Sequence, residues 1–155
     1  NSALSRRCSG FDSPSVRHLI MNIVILSLLI LCYSLVLGII FAQVLLTAPV
    51  VFKVLDNQNA SNFLRKIFPR YYLLLLLITL IALLVSYLFF QQTDVYFALT
   101  AVCFSFLGYI IIPLTNAARD RGWERLFKFF HNLSVFNTLV IFVISITQIV
   151  RVTYL

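Results

Sequence analysis

Residues 73–90 read "LLLLLITLIALLVSYLFF", and this stretch decides the fold class. It contains no charged side chain. An α-helix rises about 1.5 Å per residue, so about 20 apolar residues cross a hydrocarbon core about 30 Å thick. Pro69 is expected to end a preceding helix. The stretch, together with Tyr71 and Tyr72, therefore predicts a transmembrane helix from about Tyr71 to Phe90.

The composition of the whole chain supports the same class. Of the 155 residues, 61% are hydrophobic and 11% are charged, and the mean hydropathy is +0.99. A soluble domain of this size would aggregate with so much apolar surface, so the chain is an integral membrane protein. The net charge of +7 comes from Lys and Arg residues in short segments between apolar runs. This placement favours anionic lipid headgroups as partners and argues against nucleic acid.

Three further apolar runs are long enough to span a bilayer. They extend from about Ile23 to Phe52, from Val95 to Leu114 and from His131 to Val150. Pro49 is expected to kink or end the first of these helices, and Gly108 permits close helix packing in the third. The sequence therefore predicts an all-α fold, a bundle of four transmembrane helices.

The distribution of basic residues predicts the orientation of the bundle. Both long loops are basic, whereas the "QQTD" turn at residues 91–94 has no basic residue. Positive-inside bias then places both long loops in the cytoplasm and both termini outside. The predicted headgroup anchors are Lys53, Arg65, Lys66 and Arg70 in the first loop and Arg119, Arg121, Arg125 and Lys128 in the second.

The N-terminal segment conflicts with this orientation. Arg6, Arg7 and Arg17 lie on the side that should be poor in basic residues. Met21 is the only methionine and directly precedes the first apolar run. We therefore expect residues 1–20 to be either a disordered tail or an upstream extension preceding a native start at Met21, with residues 21–155 forming a single membrane domain.

Both long loops contain an amphipathic segment. Apolar residues recur at helical spacing within residues 60–68 and again within residues 123–130, and polar or charged residues such as Arg65, Lys66, Glu124, Arg125 and Lys128 occupy other faces. Such segments lie in the interface between lipid and water and bind anionic headgroups. The sequence therefore predicts two basic interfacial segments on the cytoplasmic side of the bundle.

A polar cluster is predicted near the cytoplasmic ends of the first and fourth spans. One interpretation is a vestibule open to the cytoplasm, in which His131 accepts a proton or binds a metal. The other, which we favour, is hydrogen bonding between helices that fixes their register. The predicted members of the cluster are Gln43, Thr47, Asn116, His131, Ser134 and Asn137.

No catalytic arrangement is visible in the sequence. All five acidic residues lie in the tail or in predicted loops, so paired carboxylates within the membrane are not expected. The cysteines Cys8, Cys32 and Cys103 lack metal-ligand spacing and disulfide pairing. The sequence therefore predicts a protein that is not an enzyme and has no cofactor, and it leaves metal binding open.

Four segments resemble one known family. They are "FAQVLLTAPVVFKVL" at residues 41–55, "FLRKIFPRYY" at 63–72, "IPLTNAARD" at 112–120 and, above all, "FFHNLSVFNTL" at 129–139. This pattern resembles the transmembrane protein 205-like family, whose bacterial members form a domain of unknown function. The resemblance extends roughly from Met21 to Val150. Its most specific residues are Asn116, Arg119, Phe130, His131, Ser134 and Asn137.

The resemblance implies a compact four-helix membrane fold, in the bacterial inner membrane, but no established reaction. The chain departs from the family near residues 60–62, where relatives often have glycine and other small residues. Two functions stay open. The preferred one is an accessory or assembly subunit that binds a larger membrane protein or a second copy of itself. The alternative is a transporter of small solutes or metal ions that uses the polar cluster around His131.

Overall fold

The computed structural model describes residues 14–154, and its regular structure is entirely helical within that range. Four helices are long and apolar enough to cross a membrane, judged by length and composition. The prediction of an all-α, four-helix membrane fold is therefore confirmed. The elements are α1 (Pro14–Phe41), a π-helical segment (Ala42–Thr47), α2 (Ala48–Val54), α3 (Asn57–Phe89), α4 (Gln92–Asp120) and α5 (Glu124–Thr153).

The helices form a closed ring of neighbours. Helix α1 packs on α3 and α5, and α4 packs on the other sides of the same two helices. The connections are short, which makes consecutive helices antiparallel. At the α4–α5 connection, Gly122 adopts φ +68°, a left-handed conformation that glycine adopts without strain. The Gly122 and Trp123 amides then donate to carbonyls of the last turn of α4.

We distinguish two ends of the bundle. The basic end contains the α2–α3 and α4–α5 connections and carries all eight of the predicted headgroup anchors. The terminal end contains the start of α1, the α3–α4 connection at Phe90–Gln91 and the end of α5. This division positions the two polar regions described below.

The helices are longer than predicted. Pro69 does not end a helix, because it lies inside α3. Phe68 and Tyr71 on either side of it pack edge to face, with ring centroids 6.3 Å apart, and this packing stabilises the helix despite the missing N–H. At about 1.5 Å per residue, the 33 residues of α3 extend to about 50 Å. The amphipathic segments are thus the first turns of α3 and α5, continuous with the spans.

The first helix also begins earlier than expected. Helix α1 starts at Pro14, so residues 14–20 are helical and do not form a disordered segment. Residues 1–13 lie outside the described part of the chain. A native start at Met21 stays a prediction.

Two apolar clusters form the core. The central cluster includes Val36, Tyr72, Leu75 and Ile141, which are almost completely buried. The second lies nearer the terminal end. Its buried members are Leu29, Cys32, Tyr33, Ala82, Val85 and Val152.

Tyr72 crosses the bundle diagonally through the central cluster. Its hydroxyl lies 2.8 Å from the Thr138 hydroxyl and 3.1 Å from the Ser134 carbonyl oxygen on α5, although α3 and α5 are not neighbours in the ring. The ring lies against the backbone of α4 at Gly108. A Cβ atom at that position would be 2.1 Å from the tyrosine Cε1. The expectation that Gly108 permits close packing is therefore confirmed, with the Tyr72 ring as the partner.

Candidate functional site

A cavity of about 550 Å³ opens at the basic end of the bundle. Its walls come from the first helix and from α3, α4 and α5, and most of the lining side chains are apolar. From Ala42 onward the backbone of the first helix leaves its neighbours: the backbones of the π-helical segment and α2 do not approach those of α4 and α5, and α2 approaches α3 only sparsely. This divergence opens the cavity.

The π-helical segment has a local cause in the sequence. Pro49 lies in the first turn of α2 and has no N–H to donate to the preceding turn. Instead, the Ala48 amide donates to the Gln43 carbonyl five residues back, and the Thr47 hydroxyl donates to the Ala42 carbonyl at 3.2 Å. The expected effect of Pro49 therefore takes the form of a widened turn, a feature often found at functional sites.

Four of the six residues predicted as a polar cluster line the cavity: Gln43, Asn116, His131 and Ser134. The structure does not bring Thr47 and Asn137 into it. The Thr47 hydroxyl bonds within its own helix. Asn137 is completely buried, and its Nδ2 atom donates to the Phe104 carbonyl at 2.8 Å. For Asn137, the interpretation as a hydrogen bond between helices therefore matches the geometry.

Some polar groups that line the cavity have hydrogen-bond partners and others do not. Ser134 lies against the Tyr72 hydroxyl, with its Oγ atom 3.1 Å away. Gln43 is only 7% exposed, and its Nε2 atom has no partner in the described chain. An unsatisfied buried donor is unfavourable by about 1–3 kcal/mol. Gln43 is thus a buried donor on the wall of a cavity.

Two aromatic contacts orient His131 and Arg119 at the mouth of the cavity. The His131 ring stacks on Phe127, with centroids 6.0 Å apart and planes 15° apart. The Arg119 guanidinium lies 5.8 Å from the centroid of the same ring. Within residues 14–154 neither side chain forms an ion pair with a carboxylate. Phe127 therefore positions two groups that have unused donors.

The part of the chain that builds most of this cavity matches a known family model. The model describes a domain of unknown function, DUF4149, and matches residues 31–124. The chain belongs to this family. Comparisons with curated proteins and with solved structures gave no match.

The DUF4149 match ends at the start of α5 and includes the polar wall residues of the preceding helices, among them Gln43, Asn116 and Arg119. His131 and Ser134 therefore lie beyond the matched segment.

One predicted headgroup anchor of this DUF4149 chain has a different role. Arg65 forms a two-pronged ion pair with Asp120, which includes a hydrogen bond of 3.0 Å from Nη1 to Oδ2. This pair joins α3 to the end of α4, so the charge of Arg65 is compensated within the protein. The other seven predicted anchors are exposed: Lys53, Lys66, Arg70, Arg119, Arg121, Arg125 and Lys128.

A second polar cluster lies at the terminal end, and sequence reasoning missed it. Asp94, assigned to a turn, is completely buried in the first turn of α4. Its Oδ1 atom accepts a hydrogen bond of 2.9 Å from the Gln148 amide, and Arg151 lies 3.5 Å away. Arg151 also donates to the Thr93 hydroxyl at 2.8 Å. The cluster joins α4 to α5 at the end opposite the cavity.

The signal for this second cluster was present in the spacing of small residues. Along α4, Ala98, Ala101, Ser105 and Gly108 recur at intervals of three or four and are all buried. Extending the same stripe by one turn toward the N-terminus reaches Asp94. A helix face formed of small residues packs closely on its neighbours, so a carboxylate on that face is buried with them.

Proposed function

We propose that this chain is a non-enzymatic integral membrane protein that acts by binding, and that the basic-end cavity holds an amphiphilic ligand. The observation that supports this proposal is the pairing of an open apolar cavity with the unpartnered amide of Gln43. Its volume of about 550 Å³ is within the range of small-molecule sites, roughly 300–1,000 Å³. A ligand with an apolar chain and an acceptor atom would fill the cavity and satisfy the amide.

The surroundings of His131 favour binding over chemical conversion. A histidine that acts as a general base needs a neighbouring group to orient it and a nucleophile to deprotonate. Here the ring stacks on Phe127. The completely buried carboxylate, Asp94, is at the other end of the bundle.

We further propose that the basic end faces the cytoplasm of a bacterial inner membrane and that the chain is a relative of transmembrane protein 205. The positive-inside rule supports the orientation, because the predicted anchors concentrate at one end. The motif at residues 129–139 supports the relationship. In this setting the cavity is accessible from the inner leaflet.

An accessory or assembly role is the second candidate function. It is favoured by α2, which diverges from the bundle and exposes Val50, Phe52 and Val54 beside Lys53. Large apolar side chains near the boundary of the membrane are a suitable surface for a partner helix. In that case a larger membrane protein, or a second copy of the chain, would cover this surface.

Transport through the bundle is less well supported than binding. Asn116, His131 and Ser134 do gather in one cavity, which favours the transporter predicted from the sequence. However, Val36, Leu75 and Ile141 fill the space between the two ends with completely buried apolar side chains. A transported solute would have to displace this layer.

Native mass spectrometry of the particle extracted in mild detergent tests these roles. A C-terminal tag allows purification from the native membrane. The binding proposal predicts a chain that retains amphiphiles with masses in the lipid range. Replacing Leu139 on the cavity wall with Trp should reduce the retained fraction several-fold, because the indole occupies the space of the ligand. The control Leu84→Trp adds the same group to an exposed position outside the cavity.

The alternatives give different results. A stoichiometric companion protein, with no retained amphiphile, would support the accessory role and refute binding as the main function. Equal retention by the two tryptophan variants would show that the amphiphile binds elsewhere and would also refute the proposal. Flux of a solute into liposomes that His131→Ala abolishes, with folding intact, would establish transport instead.

A further inference from the structure

The cavity carries an uncompensated positive charge at its mouth. Arg65 and Arg119 are the two arginines that line it, and Asp120 already pairs with Arg65. No acidic side chain of the described chain lines the cavity. Asn116 lies one turn before Arg119 on the same face of α4, and His131 faces them from α5. The mouth is therefore rich in hydrogen-bond donors and positively charged.

A second donor lies deeper in the cavity. Gln43 is one turn beyond Ile40, a member of the central core cluster, whereas Arg119 is exposed at the end of α4. Around Gln43 the walls are formed by apolar groups such as Val44, Ile112 and Phe142. The Nε2 atom has no partner in the described chain and is covered by neighbouring side chains. An occupant with an acceptor below the level of its headgroup would satisfy this donor by displacing those side chains.

We propose that the occupant is an anionic glycerophospholipid from the leaflet at the basic end. Its phosphate binds Arg119 with Asn116 and His131, an acyl ester carbonyl accepts from Gln43, and an acyl chain lies along the apolar wall. This inference rests on the proposed binding function and specifies the class of the ligand.

Other amphiphiles satisfy fewer of these groups. A free fatty acid has its only acceptors at the carboxylate, so binding at the mouth leaves Gln43 unsatisfied. A lipid with a zwitterionic headgroup places a cation beside Arg119. Charge-assisted hydrogen bonds from arginine to phosphate are about twice as strong as neutral ones, which favours the anionic headgroup.

The test measures lipid binding to the purified full chain by native mass spectrometry in a lipid-exchange detergent. Three probes are compared: diester phosphatidylglycerol, its diether analogue and diester phosphatidylcholine. The variants are Arg119→Gln and Gln43→Leu. Matched controls are Arg125→Gln, an exposed arginine, and Gln58→Leu, an exposed glutamine, neither of which lines the cavity.

We expect the unmodified chain to bind the diester phosphatidylglycerol about tenfold more tightly than phosphatidylcholine. Arg119→Gln should remove most of this preference by weakening phosphatidylglycerol binding much more than phosphatidylcholine binding, because both lipids carry the phosphate but only phosphatidylcholine places a cation beside Arg119. Gln43→Leu should weaken binding of the diester several-fold and leave the diether unaffected, because the diether has no carbonyl to accept. Arg125→Gln and Gln58→Leu should behave like the unmodified chain.

The outcomes separate this inference from the proposed function. Equal binding of anionic and zwitterionic lipids, insensitive to Arg119→Gln but blocked by Leu139→Trp, would overturn the inference and leave amphiphile binding intact. Identical affinities for diester and diether in the unmodified chain would overturn the role of Gln43. Binding that Leu139→Trp does not reduce would overturn both proposals. Unchanged thermal unfolding of each variant confirms that losses of binding do not come from misfolding.

Discussion

The contact between Gly108 and Tyr72 gives the most quantitative prediction. Replacing Gly108 with alanine adds one Cβ atom, 2.1 Å from Cε1 and 2.4 Å from Cδ1 of the tyrosine ring. Ordinary contacts of this kind begin at 3.4 Å, so the ring or the α4 backbone must move by about 1.3 Å. Tyr72 is 1% exposed and its hydroxyl lies within hydrogen-bonding distance of Ser134 and Thr138, so it has little room to move.

The magnitude follows from two contributions. Forcing an extra methyl group into a packed core is unfavourable by about 1–3 kcal/mol. Displacing the tyrosine also weakens its hydrogen bonds to α5, which contribute on average about 0.6 kcal/mol each within a membrane. We expect Gly108→Ala to lower the free energy of unfolding by about 2–4 kcal/mol. This corresponds to an unfolding constant roughly 30-fold to several hundred-fold larger.

Gly38 provides the matched control. A Cβ atom at Gly38 meets no atom within 4 Å. Alanine is a better helix former than glycine by up to about 1 kcal/mol, so Gly38→Ala should be neutral or stabilising. The assay is reversible unfolding in mixed detergents, monitored by far-ultraviolet circular dichroism. Gly108→Ala should become nearly neutral in a Tyr72→Leu background, because the ring is absent. Equal effects of Gly38→Ala and Gly108→Ala would refute the packing argument.

Three further predictions concern other contacts. Asp94→Ala should lower the free energy of unfolding by about 3 kcal/mol, because it leaves the Gln148 amide without its acceptor and Arg151 without its ion pair. The control Asp56→Ala, at an exposed position, should have little effect in the same unfolding assay. Arg65→Gln should lower the melting temperature slightly at low ionic strength, and a difference that persisted in 1 M salt would contradict the assigned exposed ion pair with Asp120. Finally, single cysteines at Gln58 and Thr93, in a background with the native cysteines replaced, should react with a membrane-impermeant maleimide from opposite sides of the membrane. Labelling of both from one side would refute the spanning topology.

The sequence predicted the helices because their cause is local. A run such as residues 73–90 must be a membrane helix, since no other structure satisfies its backbone groups in lipid. The same reasoning misjudged Pro69, because a single missing hydrogen bond was expected to outweigh packing. In the bundle, Phe68 and Tyr71 pack on either side of this position and the helix continues.

The polar cluster was only partly predictable. The sequence indicates how deep in the membrane each residue lies, but it does not indicate how each helix is rotated about its own axis. Gln43 and Asn137 were both assigned to the inner half of the bundle. Gln43 lines the cavity, whereas Asn137 donates to the Phe104 carbonyl of α4. Gln43 lies in the π-helical segment, whose wider turn departs from the 3.6-residue period by which helix faces are assigned. The widened turn is associated with Pro49 and is not visible in the hydrophobic periodicity.

The separation of the two polar regions limits which functions the bundle can perform. Asp94 and Arg151 are at the terminal end, while Arg119 and His131 are at the basic end. The central core between them is completely buried at Val36, Leu75 and Ile141. The carboxylate of Asp94 therefore fixes α4 on α5 without contributing charge to the cavity. At the basic end, Arg65 and Arg119 carry two positive charges against the one negative charge of Asp120, and this net positive charge supports our proposal of anionic-lipid binding from one leaflet over passage across the membrane.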